Sequence, residues 1–343
     1  MCSANIGTNS SFRRRPSLLL DISLEELEHA ARLVRATVAP TLQHPWPKLR
    51  QRAGCTVWVK HENHTPTGAF KVRGGLVYLD RLRRSQPGVR AVVSATRGNH
   101  GQSIAFAAAR AGVAATIYVP HGNSTDQNSS MSALGATVIE FGRDFDEAKH
   151  EAQRVARERS HHLVPSFHRD LVVGVASYAL ELFRAGAALD TVYVGVGMGS
   201  GICGLMAVRD LLGLNTEIVG VVAASAPATA RSFAARRPVP APSARTFADG
   251  IATREPNADA IQAICAGAAR IVEVSEDAIA DAMRIYWDDA HQIAEGAGAA
   301  PLAALLQERE RLANRTAAVI LSGGNIERAR LLQVLNGHTP LAG

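Results

Sequence analysis

The sequence predicts an α/β protein in which two parallel-type sheets are flanked by helices. Three observations carry that reading. Short apolar runs of strand length, such as Val89 to Ser94 and Thr191 to Val196, alternate with helix-length stretches. These runs are continuously apolar, as strands covered on both faces are. Several end in polar or glycine-rich loops, namely Thr96 to Gly101, Gly197 to Gly201 and Ser322 to Asn325. Loops at the carboxyl ends of strands are where open α/β sheets bind ligands.

In chain order, residues 1–17 are rich in Ser, Asn and Arg and are expected to form a flexible tail. Ser23-Leu24-Glu25-Glu26 opens a helix, with Ser as N-cap and Glu three residues on. Val38-Ala39-Pro40-Thr41 closes it. Thr56 to Lys60 is a strand, and a helix begins near Lys71 and runs through Leu82. The strand Val89 to Ser94 precedes an Ala-rich helix from Ser103 to Ala111. Ala115 to Pro120 is a strand, Asn128 to Leu134 a short helix, Ala136 to Phe141 a strand, and Phe145 to Ser160 a helix. A second set begins near Val172 with a helix through Leu180 and Phe183. The strand Thr191 to Val196, a helix to Leu212 and the strand Glu217 to Val222 follow. Residues 226–248, rich in Pro, Ala and Arg, are the most loop-like stretch. Arg270 to Val274 is a strand, Asp277 to Ala294 a helix, and Ala317 to Leu321 the last strand.

The totals narrow the classes. A chain of 343 residues with 47% hydrophobic and 20% charged residues can bury one large or two moderate cores. The net charge of +6 comes largely from scattered arginine, as in Arg81-Leu82-Arg83-Arg84. No basic patch interleaved with aromatics appears, so nucleic acid is not an expected partner. No run of about 18 apolar residues appears, so no membrane span is expected. Cys2, Cys55, Cys203 and Cys265 show no metal or disulfide spacing, which fits reduced thiols in a cytoplasmic protein.

Chemistry is concentrated in Pro66-Thr67-Gly68-Ala69-Phe70-Lys71-Val72-Arg73-Gly74-Gly75. Its lysine follows a Pro/Gly turn, opens a helix and stands behind the apolar strand Thr56-Val57-Trp58-Val59. Desolvation and the helix N-terminus both lower a lysine pKa there. An uncharged amine is a nucleophile whose common use is Schiff-base chemistry. Taken alone, Lys71 also fits a solvated helix lysine. Gly197-Met198-Gly199-Ser200-Gly201 could cradle a phosphate on backbone N–H groups. Gly199, Gly201 and Gly204 also match a dinucleotide spacing, but Ala223-Ala224 stands where the ribose-binding acid belongs. Close strand-to-helix packing is the alternative for that loop. Ser94-Ala95-Thr96-Arg97-Gly98-Asn99-His100-Gly101-Gln102 is dense in donors. It could hold a carboxylate by backbone N–H and the Thr96 hydroxyl, or serve only to cap a helix.

Together, and in this order, these motifs resemble the fold-type II pyridoxal-phosphate enzymes, the tryptophan synthase β-like group, and within them the serine/threonine dehydratases. The resemblance spans roughly residues 38–330. It implies pyridoxal 5'-phosphate as cofactor, linked to Lys71, which then acts as the base at the substrate Cα. Phe70 would pack beside the ring, Asn99 would bind the phenolic oxygen, and Gly197, Met198, Gly199, Ser200 and Gly201 would hold the phosphate. Ser322 would face the pyridine nitrogen and Glu295, in Glu295-Gly296-Ala297-Gly298, would lie near the ring. The loop of Thr96, Arg97, Gly98 and His100, with Asp249 and Gly250 from Ala248-Asp249-Gly250-Ile251-Ala252, would meet the substrate. A neutral hydroxyl at the ring nitrogen makes a milder electron sink than a carboxylate partner, which suits prompt loss of a β-hydroxyl. The implied reaction converts a 3-hydroxy amino acid, L-threonine or L-serine, to a 2-oxo acid and ammonia. The leaving hydroxide would take its proton from the cofactor phosphate.

Three departures refine this. Arg97 stands where racemases of the group carry a second, serine base, and a guanidinium is a poor base. Arg97 could instead clamp a carboxylate or close the site, or simply face outward. Ala223-Ala224-Ser225-Ala226-Pro227-Ala228 lacks the carboxylates of metal-dependent relatives, so no metal is expected. No regulatory domain is expected after the last strand, which would suit a catabolic role without isoleucine feedback. The expected organisation is a large domain of residues 18–85 and 169–343 and a small mobile domain of residues 86–168, closing over the substrate. The family implies a homodimer. Rival readings are the same chemistry on 3-phenylserine, with room left by Gly296 to Ala300, or on 3-hydroxyaspartate, if Arg97 faces the substrate. A racemase, a β-replacement synthase, a non-catalytic sensor and an NAD-type nucleotide binder also stay open.

Overall fold

A computed structural model describes residues 21–341, so the tail expected over residues 1–17 lies outside the described residues. Helix α1 (Leu24–Arg35) is capped as its sequence implies, the Ser23 hydroxyl accepting from the Glu26 N–H at 3.1 Å. That satisfies one of the orphan amides of the first turn. Strand β1 (Gln43–Pro45) and helix α2 (Pro47–Ala53) follow. Neither is visible in the sequence pattern, β1 being three residues long and α2 only seven. Strand β2 (Thr56–His61) then leads to α3 (Lys71–Ser85), whose first residue is the lysine.

Strands and helices now alternate: β3 (Ala91–Ala95), α4 (Asn99–Arg110), β4 (Ala114–Val119), α5 (Thr125–Ala133), β5 (Ala136–Glu140), α6 (Phe145–Glu158) and β6 (His162–Leu163). After α7 (Arg169–Arg184) come β7 (Thr191–Gly195), α8 (Ser200–Leu211), β8 (Glu217–Ala223), α9 (Ala228–Ala235) and α10 (Ala258–Gly267). The chain ends with β9 (Arg270–Val274), α11 (Glu276–Ala290), α12 (Gly296–Gln307), β10 (Thr316–Leu321) and α13 (Arg328–Leu335). One sheet has the order β1-β2-β10-β7-β8-β9, parallel except for β1 on its edge. The other, β5-β4-β3-β6, is parallel throughout.

Some elements differ from the sequence reading, each for a local reason. Helix α9 lies inside the stretch read as loop, residues 226–248, where its eight residues are too few to show a period. Helix α4 starts at Asn99, earlier than Ser103, because the polar Asn99-His100-Gly101 segment is the helix's own first turn. Helix α11 stops at Ala290, before Ala294, as His291 turns into the left-handed region at φ 53°. That break frees the chain to carry Glu295 toward the loops of the other strands. Helix α12 is apolar on every side and buried from Gly296 to Leu305, so no amphipathic stripe announces it.

Helices α3 and α7 cross backbone to backbone. A Cβ on Gly174 would stand 2.3 Å from the Arg73 carbonyl oxygen, and one on Gly74 2.8 Å from that of Leu171. The first turn of α3, which bears Lys71, is therefore held at close range by α7.

Candidate active site

Backbone hydrogen bonds stitch three distant segments around Lys71. The Phe70 N–H donates to the Ser322 carbonyl at 3.0 Å and Gly324 N–H to Gly68 at 3.0 Å. Glu295 N–H donates to the Gly323 carbonyl at 3.1 Å. The Pro66–Gly68 turn needs Gly68 for two reasons. Its φ is +67°, and a side chain there would meet the Asn325 amide at 2.3 Å. The loops after β10 and before α3 are thereby one structure, with Glu295, the N-cap of α12, docked on it.

Side chains complete the arrangement. Asn99 Nδ2 donates to Glu295 Oε1 at 2.8 Å and Oε2 at 3.0 Å. Asn325 Nδ2 donates to both the Asn99 Oδ1 and the Thr67 carbonyl, at 2.8 Å each. Asn325 therefore ties the loop after β3 to the lysine turn. The sequence displayed it in Ser322-Gly323-Gly324-Asn325, but nothing in that pattern marked its amide as the bridge.

Opposite stands the loop between β7 and α8. A Cβ on Gly197 would lie 2.3 Å from the Gly250 carbonyl oxygen, and Gly199 has φ +103°. Only glycine fits both places, and the result is a concave run of backbone ahead of a 12-residue helix. Phe70, Lys71, Asn99, Gly197 to Gly201, Gly250, Glu295 and Ser322 line one cleft, together with Gly195, Ile251 and Ala297, to which the sequence assigned no role.

Thr96, Arg97, Gly98, His100 and Asp249 are not in that lining. Thr96 is buried, and its hydroxyl oxygen accepts from the Gly98 N–H at 3.0 Å, holding the turn into α4. His100 Nε2 is buried without a hydrogen-bond partner among the described residues. Its imidazole is pushed down to about 3 by burial and by the charge of Lys71. Arg97 and Asp249 face each other at the rim, 4.0 Å apart.

The electrostatics favour a neutral amine. Burial lowers the pKa of Lys71, with the Glu295 carboxylate pulling it the other way. Its Nζ lies 5.0 Å from the centre of the Phe70 ring. The Glu295 carboxyl is pushed up to about 7, chiefly by burial, against the hydrogen bonds of Asn99 and the charge of Lys71. A carboxyl raised in the folded state contributes stability that is complete below its ordinary pKa of 4.5 and lost as pH rises through about 7. Glu295→Gln is thus expected to gain about 2–3 kcal/mol relative to wild type between pH 4.5 and 8 in the cofactor-free protein. Urea unfolding of both proteins at the two pH values measures this, and an unchanged difference would refute it.

An amine that burial biases toward its neutral form, facing a glycine cradle, suits a phosphorylated aldehyde held covalently at one end and by its phosphate at the other. Ser322 lines the same cleft and brings a neutral hydroxyl to it. The chain belongs to the pyridoxal-phosphate dependent enzyme family, which matches residues 34–323. It is 30% identical over 316 residues to the L-threonine ammonia-lyase of Thermotoga maritima, covering 92% of this chain and 78% of that one. To the L-threonine ammonia-lyase of Geobacter sulfurreducens it is 33% identical over 278 residues, covering 81% and 69%. The processed threonine deaminase isoform 2 of Solanum lycopersicum superposes with a TM-score of 0.84 at 25% identity, covering 94% of this chain and 95% of that one. The fold is accordingly fold-type II, the cofactor is pyridoxal 5'-phosphate, and the protein is a lyase of the dehydratase type. Among the described residues, no helix is long and apolar enough to cross a membrane.

Proposed function

We propose that this chain eliminates water from a 3-hydroxy amino acid, L-threonine or L-serine, and that the unsaturated amine so formed then takes up water and releases ammonia, leaving a 2-oxo acid. The observation that carries the reading is the desolvated Lys71 amine facing the Gly197–Gly201 cradle. When bound, pyridoxal phosphate supplies the electron sink for the bond broken at Cα. Lys71 takes the α-proton on Nζ as the hydroxyl leaves Cβ. The backbone N–H groups from Gly197 to Gly201 hold the phosphate, and Phe70 packs beside the ring. Ser322 gives the ring nitrogen a neutral partner. Asn99 holds the phenolic oxygen by the amide that here meets Glu295. The N-terminus of α4, with Thr96, Gly98 and His100 around it, receives the substrate α-carboxylate.

The position that would carry a second base holds Arg97, whose guanidinium turns to Asp249 rather than into the cleft. That favours elimination over racemisation. We also take residues 86–168 to close as a unit, since Arg97–Asp249 and Arg254–Asp146 pair that segment with residues 249–254 across the cleft. Activity as a homodimer in the cytoplasm belongs to the same reading. The unpaired thiols of Cys55, Cys203 and Cys265 are in keeping with that compartment.

The test is 2-oxo acid release by cofactor-loaded protein from L-threonine, L-serine, both 3-phenylserine diastereomers and 3-hydroxyaspartate, with and without EDTA. Turnover insensitive to EDTA is expected, given the carboxylate-free segment Ala223–Ala228. A visible cofactor band without oxo acid from any of them would refute the reading and point to a synthase or a sensor.

A further inference from the structure

We propose that Arg97 selects a substrate whose own side chain ends in a carboxylate, so that the preferred 3-hydroxy amino acid is of the 3-hydroxyaspartate class. This rests on the elimination reading above and names its substrate. A dianionic substrate needs a cation for its second carboxylate, and the cleft lining contains one basic side chain, Lys71, which is reserved for chemistry. Two arginines meet Asp249, the residue before the cleft-lining Gly250: Arg330 and Arg97. Arg330 Nη1 hydrogen-bonds Asp249 Oδ2 at 3.2 Å and its Nε lies 3.6 Å from Glu327. Arg97 has only the 4.0 Å approach to Asp249 Oδ1, makes no hydrogen bond among the described residues, and keeps its side chain 41% exposed.

Exchange at this pair costs little. When Arg97 turns to a substrate carboxylate, Asp249 keeps the hydrogen bond of Arg330 and is not left as an unpaired charge. One carboxylate replaces another at the same guanidinium, at a contact too long for a hydrogen bond before the exchange.

The position also fits. Arg97 lies two residues before Asn99, and Asp249 immediately before Gly250, and both Asn99 and Gly250 line the cleft. The Arg97–Asp249 contact therefore spans the mouth from one wall to the other. The α-carboxylate has its own receptor in the first-turn N–H groups of α4. The group left for Arg97 is the one on the far side of Cβ. Gly250 and Ala297, both in the lining, are small and leave room beside the cleft for a further substituent.

The experiment compares kcat/KM for L-threo-3-hydroxyaspartate and L-threonine in wild type, Arg97→Gln and Arg97→Lys. Wild type is expected to favour the dicarboxylate. The ratio should fall about 100-fold in Arg97→Gln, as loss of a charged hydrogen bond implies, and recover in part in Arg97→Lys. Succinate against butyrate, titrated by the shift of the bound cofactor's visible band, gives a second reading without turnover. There the preference for succinate should collapse in Arg97→Gln. A ratio that Arg97→Gln leaves unchanged, or wild type that consumes L-threonine but not the dicarboxylate, overturns the proposal. No 2-oxo acid from either substrate overturns the elimination reading instead, and the succinate titration then judges Arg97 by itself.

Discussion

Replacing Lys71 by alanine lowers kcat/KM for 2-oxo acid formation by about 10,000-fold, roughly 5.5 kcal/mol of barrier. Two losses combine in that figure, the covalent tether of the cofactor and the base at Cα. Borohydride separates them from mere misfolding. Reduction fixes the cofactor to wild type as one added mass on the peptide containing Lys71, while Lys71→Ala retains nothing after denaturation. The variant should also unfold no earlier than wild type. Burial depresses the Lys71 pKa, so the charged amine is disfavoured in the folded state, and its removal relieves that cost. Alanine is the best helix former and stands here at the first residue of α3. Retention of a borohydride-fixed cofactor in Lys71→Ala would place the tether on another amine.

That Lys71, the Gly197–Gly201 loop, Asn99 and Ser322 would come together was legible because each lies in or directly after a turn or loop that follows a strand of a parallel sheet. Gly197 and Gly199 announce a turn by residue type alone, and the strand before them is plainly apolar. What stayed hidden depends on tertiary contact. Asn325 acts through Asn99 and Thr67, which lie 226 and 258 residues away along the chain. Helix α12 has no polar face to give it a period, and the break after α11 rests on one left-handed residue, His291. The motif around Asn99 was read as a loop at the substrate. In the fold Thr96 spends its hydroxyl oxygen on the turn, and Arg97 points across the mouth. Residue type gave the chemistry of that loop, while side-chain direction followed from Asp249, more than 150 positions on in the sequence.

The second large effect lies beneath the lysine. Arg73 is fully buried in the first turn of α3. Its Nε donates to Glu62 at 2.7 Å and its Nη1 to Glu181 at 2.8 Å, and Nη2 reaches both carboxylates at 3.0 Å. Ser177 and Thr41 accept as well, at 3.2 and 3.4 Å, so every edge of the guanidinium is used. Lys60 balances the set, donating to Glu181 at 2.7 Å. Two cations and two carboxylates thus neutralise one another in the dry interior, joining β2, α3 and α7. Arg73→Met leaves both carboxylates facing Lys60 alone and is expected to cost about 3–5 kcal/mol. The cost should come from the stranded charge rather than lost volume, because methionine fills much of the same space. Adding Glu62→Gln to Arg73→Met should therefore recover part of the loss, where two independent core lesions would add. Urea unfolding of the two variants and wild type decides it. A single variant within about 1 kcal/mol of wild type would show that the network carries no such charge cost. If the double variant falls below the single one, packing and not charge holds the first turn of α3 beneath Lys71.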